Sequence, residues 1–274
     1  LFLLIRSGKR AAGPEGEKTM ELVKVTKENL EQEHICCAIA NNRDCQVASK
    51  KAWLARRFDD GLVFLKGDVR GKCFIEYLPA ERAWAPVEAE DCMYIDCLWV
   101  SGKLAGHGYS SQLLDACIRD SREKGKRGLV ILSADKKRPF LSDPGFLEHK
   151  GFQVADQTPP YFRLYWLPLG DAGTPPRFLP CVREPRADKE NGFTLYYTRQ
   201  CPFTAKYAPL VEEAAQRRDV PFRTVRLETA EQARRAPTPF TTYSLFYNGR
   251  FVTHEILSEK KFDKLLEELA GEEA

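Results

Sequence analysis

Three places in the chain carry residues whose types and spacing could do chemistry. In "LAGHGYSSQLL", residues 104–114, the small residues Gly106, Gly108 and Ser110 stand two apart just before a helical pattern. The first turn of a helix presents backbone N–H groups without intrahelical acceptors, and the macrodipole adds partial positive charge, so converging amides there suit a phosphate. One such interaction contributes only about 0.3–1 kcal/mol when exposed. Several amides must therefore act together, and those of Gly106, His107, Gly108, Tyr109 and Ser110 are the candidates; a tight turn without a ligand is the plain alternative. The spacing is not GxGxxG with an acidic residue some twenty positions on, which disfavours a dinucleotide site, and the absence of Gly-Lys-Ser/Thr excludes a Walker loop.

The second place is Asp96, a carboxylate inside the otherwise apolar run "CMYIDCLWV". A charge there is uncommon. It serves either as a general base for a reaction that removes a proton or as a hydrogen-bonded residue at a solvated edge. The third is Cys201, in "CPFT" where a strand leads into a helix. A helix N-terminus stabilises thiolate and can lower a cysteine pKa from ~8.5 toward ~3.5–7.5. Thr204 stands three residues on, so no intramolecular CxxC disulfide can form. Cys201 is then either a monothiol redox centre or a helix-end residue in a scaffold that shapes a cleft. Tyr161, Glu76 and Glu81 are further pocket candidates, with surface or packing roles as the alternative. His34, His149 and His254 read as ordinary helix or strand residues.

Positioning these groups requires a sheet with helices. Apolar spacing predicts helices over 27–40 and 45–58 and strands over 61–68 and 72–79. The pattern continues as strand 92–100, helix 109–125, strand 128–134, a short helix ending in Gly151 and strand 161–168, which implies a mixed sheet. Ser142 or Asp143 can cap the short helix, and Pro144 suits its first turn. Pro175, Pro176, Pro180 and Pro185 then break all periodicity over 170–191, the expected connection between two independently packed domains. The pattern resets as strand 193–198, helix 203–218, strand 222–227, short helix 230–235, strands 242–247 and 250–257, and helix 259–270. Asn248-Gly249 between the last two strands signals a hairpin, because both turn positions need positive φ.

The chain has 274 residues, 43% hydrophobic and 30% charged, with 42 basic against 39 acidic residues and a net charge of +3. That length suits two domains, since single cores stop growing near ~250 residues. No basic block is present to track a phosphate backbone, so nucleic acid is not the expected partner. The run "LFLLI" falls far short of the ~20 residues of a membrane helix, and residues 1–19 read as a flexible leader. Nine cysteines without regular spacing suggest neither a disulfide framework nor a zinc or other metal site, and favour a reducing, cytoplasmic setting.

In its surroundings "LWVSGKLAGHGYSSQLL" resembles motif A of the GNAT family of acyl-CoA-dependent N-acyltransferases, and "DPGFLEHKGF" resembles the family's motif B. Ala105 stands where the family usually has Arg or Gln, and Ser110 where it has the last Gly or Ala. The resemblance covers about residues 20–168 and implies a sheet splayed between strands 92–100 and 128–134. The pantetheine arm of acetyl-CoA would lie in the gap along the backbone of Leu98 to Val100, with its pyrophosphate on the amides of residues 106–110. Asp96 occupies a position where several members carry Glu, and the frequent acid, a Tyr before the Gly-Phe, is replaced by Leu147. Residues 192–274 resemble a thioredoxin-like domain, with Pro239 as its cis-proline. The whole resembles the bacterial YoaP-type acetyltransferases: a GNAT-like domain at 20–169, a linker at 170–191 and a thioredoxin-like domain at 192–274. The implied activity is acetyl transfer from acetyl-CoA to a small-molecule or peptide amine. Two other readings stand: a monothiol redox protein with an acyl-CoA-sensing domain, or a non-catalytic acyl-CoA-binding module.

Overall fold

The computed structural model describes residues 20–35, 41, 43–170, 173–188 and 191–272. Its elements are β1 (Leu22–Val25), α1 (Cys45–Arg57), β2 (Val63–Gly67), β3 (Cys73–Pro79), β4 (Val87–Glu88), β5 (Cys92–Val100), α2 (Tyr109–Glu123), β6 (Gly128–Ala134), α3 (Pro144–His149), β7 (Gln153–Thr158), β8 (Phe162–Pro168) and β9 (Arg177–Phe178). There follow β10 (Phe193–Tyr197), α4 (Thr204–Gln216), β11 (Phe222–Arg226), α5 (Ala230–Arg234), β12 (Tyr243–Tyr247), β13 (Arg250–Thr253) and α6 (Glu259–Glu272). β1, β2, β3, β5, β6, β8 and β7 form a sheet in that order, parallel only between β5 and β6, so the expected mixed sheet is present. A second sheet runs β11-β10-β12-β13, with β10 and β11 parallel.

Strand alternation sorts the first sheet's two faces. Cys73, Ile75 and Tyr77 of β3 pack with Leu113, Leu114 and Cys117 of α2. Phe74 and Leu78 face the other way, into a cluster that also holds Tyr196, Leu227, Ala233 and Phe246 of the C-terminal half. One continuous core therefore joins the two sheets. The other face of the second sheet is covered by α4 and α6 around Phe193, Leu195 and Phe262.

Local signals explain several ends. Asp143 caps α3 by accepting from the Gly145 amide at 3.0 Å, Pro144 starts it, and Gly151 follows it at φ 85°. Asn248 and Gly249 adopt φ 47° and 77°, the turn their sequence implies.

Other expectations change. Residues 27–33 form turns rather than helix, and 36–40 and the leader 1–19 lie outside the described residues. β13 ends at Thr253, before a buried His254. β1 lies in the patterned segment that opens at Met20, whereas β4, β7 and β9 carry no alternating pattern to mark them. Pro239 is trans, and Pro159–Pro160 is the cis bond among the described residues. Within 173–188 the chain is a packed strap: β9 pairs with β4, Phe178 and Val182 are 2% and 0% exposed, and Thr158 donates to the Val182 carbonyl at 2.7 Å.

Phe178→Ala should lower unfolding free energy by about 3–5 kcal/mol, the cost of truncating a core aromatic. Denaturant titration measures it, and a loss below about 1 kcal/mol would mean that the strap is not part of the core.

Candidate functional site

β5 and β6 pair only from Cys92–Gly128 to Ile95–Ile131. Beyond that point β6 continues on β8 to Ala134, and β5 continues on β3 to Val100. The strands part, leaving residues 96–100 with a strand on one side and none on the other. Backbone groups in such a position need other partners.

The parting begins at a β-bulge. Glu76 pairs with Cys97 and Tyr77 with Ile95, so Asp96 is the extra residue on β5. The bulge shifts the strand's phase: Cys97 and Trp99 pack toward the C-terminal half, and Leu98 and Val100 toward α2. The freed Asp96 carbonyl accepts from Gln200 Nε2 at 3.3 Å.

At the open end of β5 the chain makes a single 3-10 turn at Gly102–Leu104 and enters α2 through Gly106 and Gly108, at φ 82° and 74°. Glycine is needed at 106 for that backbone conformation, since a Cβ there would meet nothing within 4 Å. Gly108 occupies the N-cap and supplies no side-chain cap. Its carbonyl accepts from Ser111 and Gln112. Among the described residues, the amides of Gly106, His107, Gly108, Tyr109 and Ser110 donate to no protein acceptor. These donors stand at a helix mouth, with the His107 and Tyr109 rings 5.7 Å apart beside them.

At the other end of the split, a cavity of about 60 Å³ lies between the two halves. Asp96, Glu76 and Cys97 line it from the first half, Gln200, Cys201 and Phe240 from the second. The Glu76 carboxylate is fully buried, paired with Lys50 Nζ at 2.5 Å and 3.3 Å from Trp53 Nε1. Lys50 Nζ also donates to the Gln200 carbonyl at 2.8 Å. Gln200 is the junction: its carbonyl takes Lys50, its amide nitrogen serves Asp96, and its Oε1 accepts from Thr242 Oγ1 at 3.3 Å.

Asp96 is half-buried and lines the cavity, and among the described residues no protein group is seen to hydrogen-bond its carboxyl oxygens. Burial, and then the Glu76 charge, hold its pKa well above the usual carboxylate range, against a smaller opposing pull from Lys50 and Arg57. Cys201 sits three residues before α4 rather than within its first turn. Burial pushes its thiol up to about 11, outweighing the backbone hydrogen bond and the lysines that favour thiolate. The thiolate stabilisation expected of a helix start is therefore overcome by desolvation. Thr204 is buried and donates to the Thr198 carbonyl at 2.7 Å, fixing the turn around Cys201.

The remaining candidates separate. Glu76 is in the cavity wall. Glu81 is outside the cavity lining, in the turn after β3, where it accepts from the Asp91 amide. Tyr161 is joined to His254 across the two halves, with Oη 2.7 Å from Nδ1, while His254 Nε2 lies 2.8 Å from the Pro139 carbonyl. The carbonyl can only accept, so Nε2 carries the proton and Tyr161 donates to Nδ1. His254, buried and with its pKa lowered by burial, is thus a neutral tether. Lys50, Trp53 and Gln200 escaped the sequence reading; a lysine on the inward face of a helical pattern was the available signal for Lys50.

Compared with known proteins, residues 27–140 match the acetyltransferase (GNAT) family model, and residues 221–264 match the YoaP-like model. The chain is 43% identical over 249 residues to the uncharacterized N-acetyltransferase YoaP of Bacillus subtilis (strain 168), covering 90% of this chain and 99% of that protein. Among solved structures, it resembles the putative acetyltransferase yncA of Salmonella typhimurium, solved with acetyl-CoA. The identity is 17% with a TM-score of 0.42, over 58% of this chain and 98% of that one. It also resembles the GNAT N-acetyltransferase YhbS of Escherichia coli, solved with CoA, at 15% identity and a TM-score of 0.39, over 60% and 93%. Among the described residues, no helix is long and apolar enough to cross a membrane.

Alkylation of Cys201 by iodoacetamide at pH 7, followed by peptide mass spectrometry, should run at least about tenfold slower than for an ordinary thiol of pKa ~8.5. A rate at or above that of the ordinary thiol would contradict the desolvated environment.

Proposed function

This chain belongs to the GNAT N-acetyltransferase family, and from that premise we propose that it transfers the acetyl group of acetyl-CoA to the nitrogen of an amine. One observation carries the proposal. The split between β5 and β6 has free helix-mouth amides at one end and, at the other, a half-buried carboxylate that lines the cavity and is seen to hydrogen-bond no described protein group.

The residues fit the co-substrate. The amides of Gly106, His107, Gly108, Tyr109 and Ser110 hold its diphosphate, with the dipole of the 15-residue α2 behind them. The open edge of β5 at Leu98 and Val100 hydrogen-bonds the pantetheine amides. Acetyl-CoA supplies an activated thioester carbonyl. Asp96 supplies the base: an amine attacks only as its free base, and a carboxylate with a raised pKa takes up its proton more readily than an ordinary one. The Lys50–Glu76 pair positions rather than reacts, since each charge is already neutralised by the other.

We read residues 192–270 as a thioredoxin-like unit on its strand order and on the helix that follows β10. Cys201, held as a neutral thiol, is in this reading a wall of the cavity and not a redox nucleophile.

Asp96→Asn should reduce kcat by about 10²–10⁴ while leaving acetyl-CoA affinity, measured by calorimetry, unchanged. The wild-type kcat/KM should rise with pH through the raised Asp96 pKa, because only the ionised form accepts a proton, and the variant should lose that limb. Stability has a matching sign. Above the unfolded carboxyl's ordinary pKa, near ~3.9, the folded protein retains a proton that the unfolded chain has released, so wild-type stability falls as pH rises through that window. Denaturant midpoints of the Asn variant should lack this slope; an identical slope in both proteins would remove Asp96 as its source.

Gly106→Ala with Gly108→Ala forces two side chains into positive φ and displaces the amides. Calorimetric affinity for acetyl-CoA should weaken at least about tenfold, as expected for the loss of several contacts of about 0.3–1 kcal/mol each. Unchanged affinity would place the diphosphate elsewhere.

A further inference from the structure

We propose that the acceptor binds in the cavity between the two halves, that the C-terminal unit forms its outer wall, and that the acceptor is a compact apolar monoamine rather than a polyamine or a protein lysine. This rests on the acetyl-transfer reading above.

The cavity is at the right place for an acceptor. Asp96, at the point where β5 leaves β6, is in its lining, so an amine bound there lies beside the base and the gap along β5. Its opposite wall belongs to the C-terminal unit: Gln200, Cys201, Phe203, Phe240 and Thr242. That wall is fastened at several points. Gln200 Nε2 donates to the Asp96 carbonyl, Lys50 to the Gln200 carbonyl, and Thr241 Oγ1 to the Trp84 carbonyl at 2.5 Å. His254 of the C-terminal unit grips both Tyr161 and the Pro139 carbonyl. Next to Pro139, Phe140 lines the cavity at φ 61°, a conformation that bulky residues adopt only where their surroundings enforce it. The C-terminal unit thus holds both its own wall and the loop after β6 against the site.

Size and charge then select the ligand class. The cavity is small, about 60 Å³, and walled from both halves, which suits a compact body better than a long chain. Its charge pattern accepts one cation. Glu76 is consumed by Lys50, which leaves Asp96 as the carboxyl in the wall that can meet an incoming ammonium. A second ammonium would be buried without a counter-charge, which is strongly unfavourable. Lys72 reinforces this. Its Nζ stands 5.6 Å from the ring centroids of both Trp99 and Phe203, spanning the two halves at the cavity. It repels a second positive charge. Phe74, Trp99, Phe140, Phe203 and Phe240 offer the apolar and aromatic surface that a hydrocarbon body would cover.

The test uses the purified full chain. Acetyl-CoA-dependent release of free thiol is followed with a ladder of monoamines from propylamine to phenethylamine, with spermidine, and with a lysine-bearing peptide. Some monoamine of the ladder should exceed spermidine and the peptide in kcat/KM by at least about tenfold. Phe240→Ala should shift the preference toward the longer monoamines by about tenfold, the scale on which an apolar pocket discriminates one or two methylenes. Where that variant does not fold, Phe203→Leu carries the same measurement. Preference for spermidine or the peptide, no transfer to any monoamine by a protein that binds acetyl-CoA, or an unchanged size preference in the folded wall variants would each overturn the assignment while leaving the acetyl-CoA site intact. Failure to bind acetyl-CoA in calorimetry would overturn the transferase reading itself, and the acceptor assignment with it.

Discussion

From Asp96 to Val100 one edge of β5 faces no strand, and much of the molecule answers that fact. Unpaired backbone polar groups inside a protein are costly, so such an edge persists only where other groups satisfy it. Here the Asp96 carbonyl is satisfied by a side chain from the other half, Gln200. The bulge that opens the edge also carries Asp96 and Cys97 to the same side of the sheet. Strand separation, the placement of the carboxyl and the docking of the C-terminal unit are thus parts of one arrangement.

The buried Lys50–Glu76 pair is the second element of that arrangement. Withdrawing two charges from water costs several kcal/mol per ion, and the mutual attraction offsets this only with good geometry and further hydrogen bonds. Glu76 has Trp53 as well as Lys50, and Lys50 has the Gln200 carbonyl. Removing the C-terminal unit would take away one of the acceptors on Lys50 and open a low-dielectric interface to water. The pair therefore couples the condition of the site to the docking of the second half.

Much of the fold was legible because its signals are local. The glycines at 106 and 108 have the positive φ that their position before a helix suggests, Asp143 caps its helix, and Asn248-Gly249 turns its hairpin. The parting of β5 from β6 followed from a resemblance, and the register bears it out. What escaped is non-local. Lys50's place on the inward face of a helical pattern hints at burial, but its partners Glu76 and Gln200 lie 26 and 150 residues away, and no local pattern names them. The strap at 173–188 was misjudged because prolines remove helical and strand periodicity without preventing burial, and Phe178 and Val182 are core residues in irregular chain. Cys201 was left open between two readings for a third reason: position near a helix start sets the sign of the dipole effect, whereas burial, which the sequence does not display, sets the dielectric and pushes the thiol up.

The same competition separates Asp96 from Cys201, two acidic groups on one cavity. Desolvation raises both. For a carboxyl, whose ordinary pKa lies about three units below neutrality, the rise makes it a better proton acceptor near working pH. For a thiol, whose ordinary pKa lies above neutrality, the same rise removes the thiolate and with it the nucleophile. On the proposed function, one apolar environment therefore suits Asp96 to take up a proton while it holds Cys201 as a thiol, which favours acyl transfer to an amine over chemistry at the cysteine. The second half contributes to that environment through the surface with which it covers the cavity.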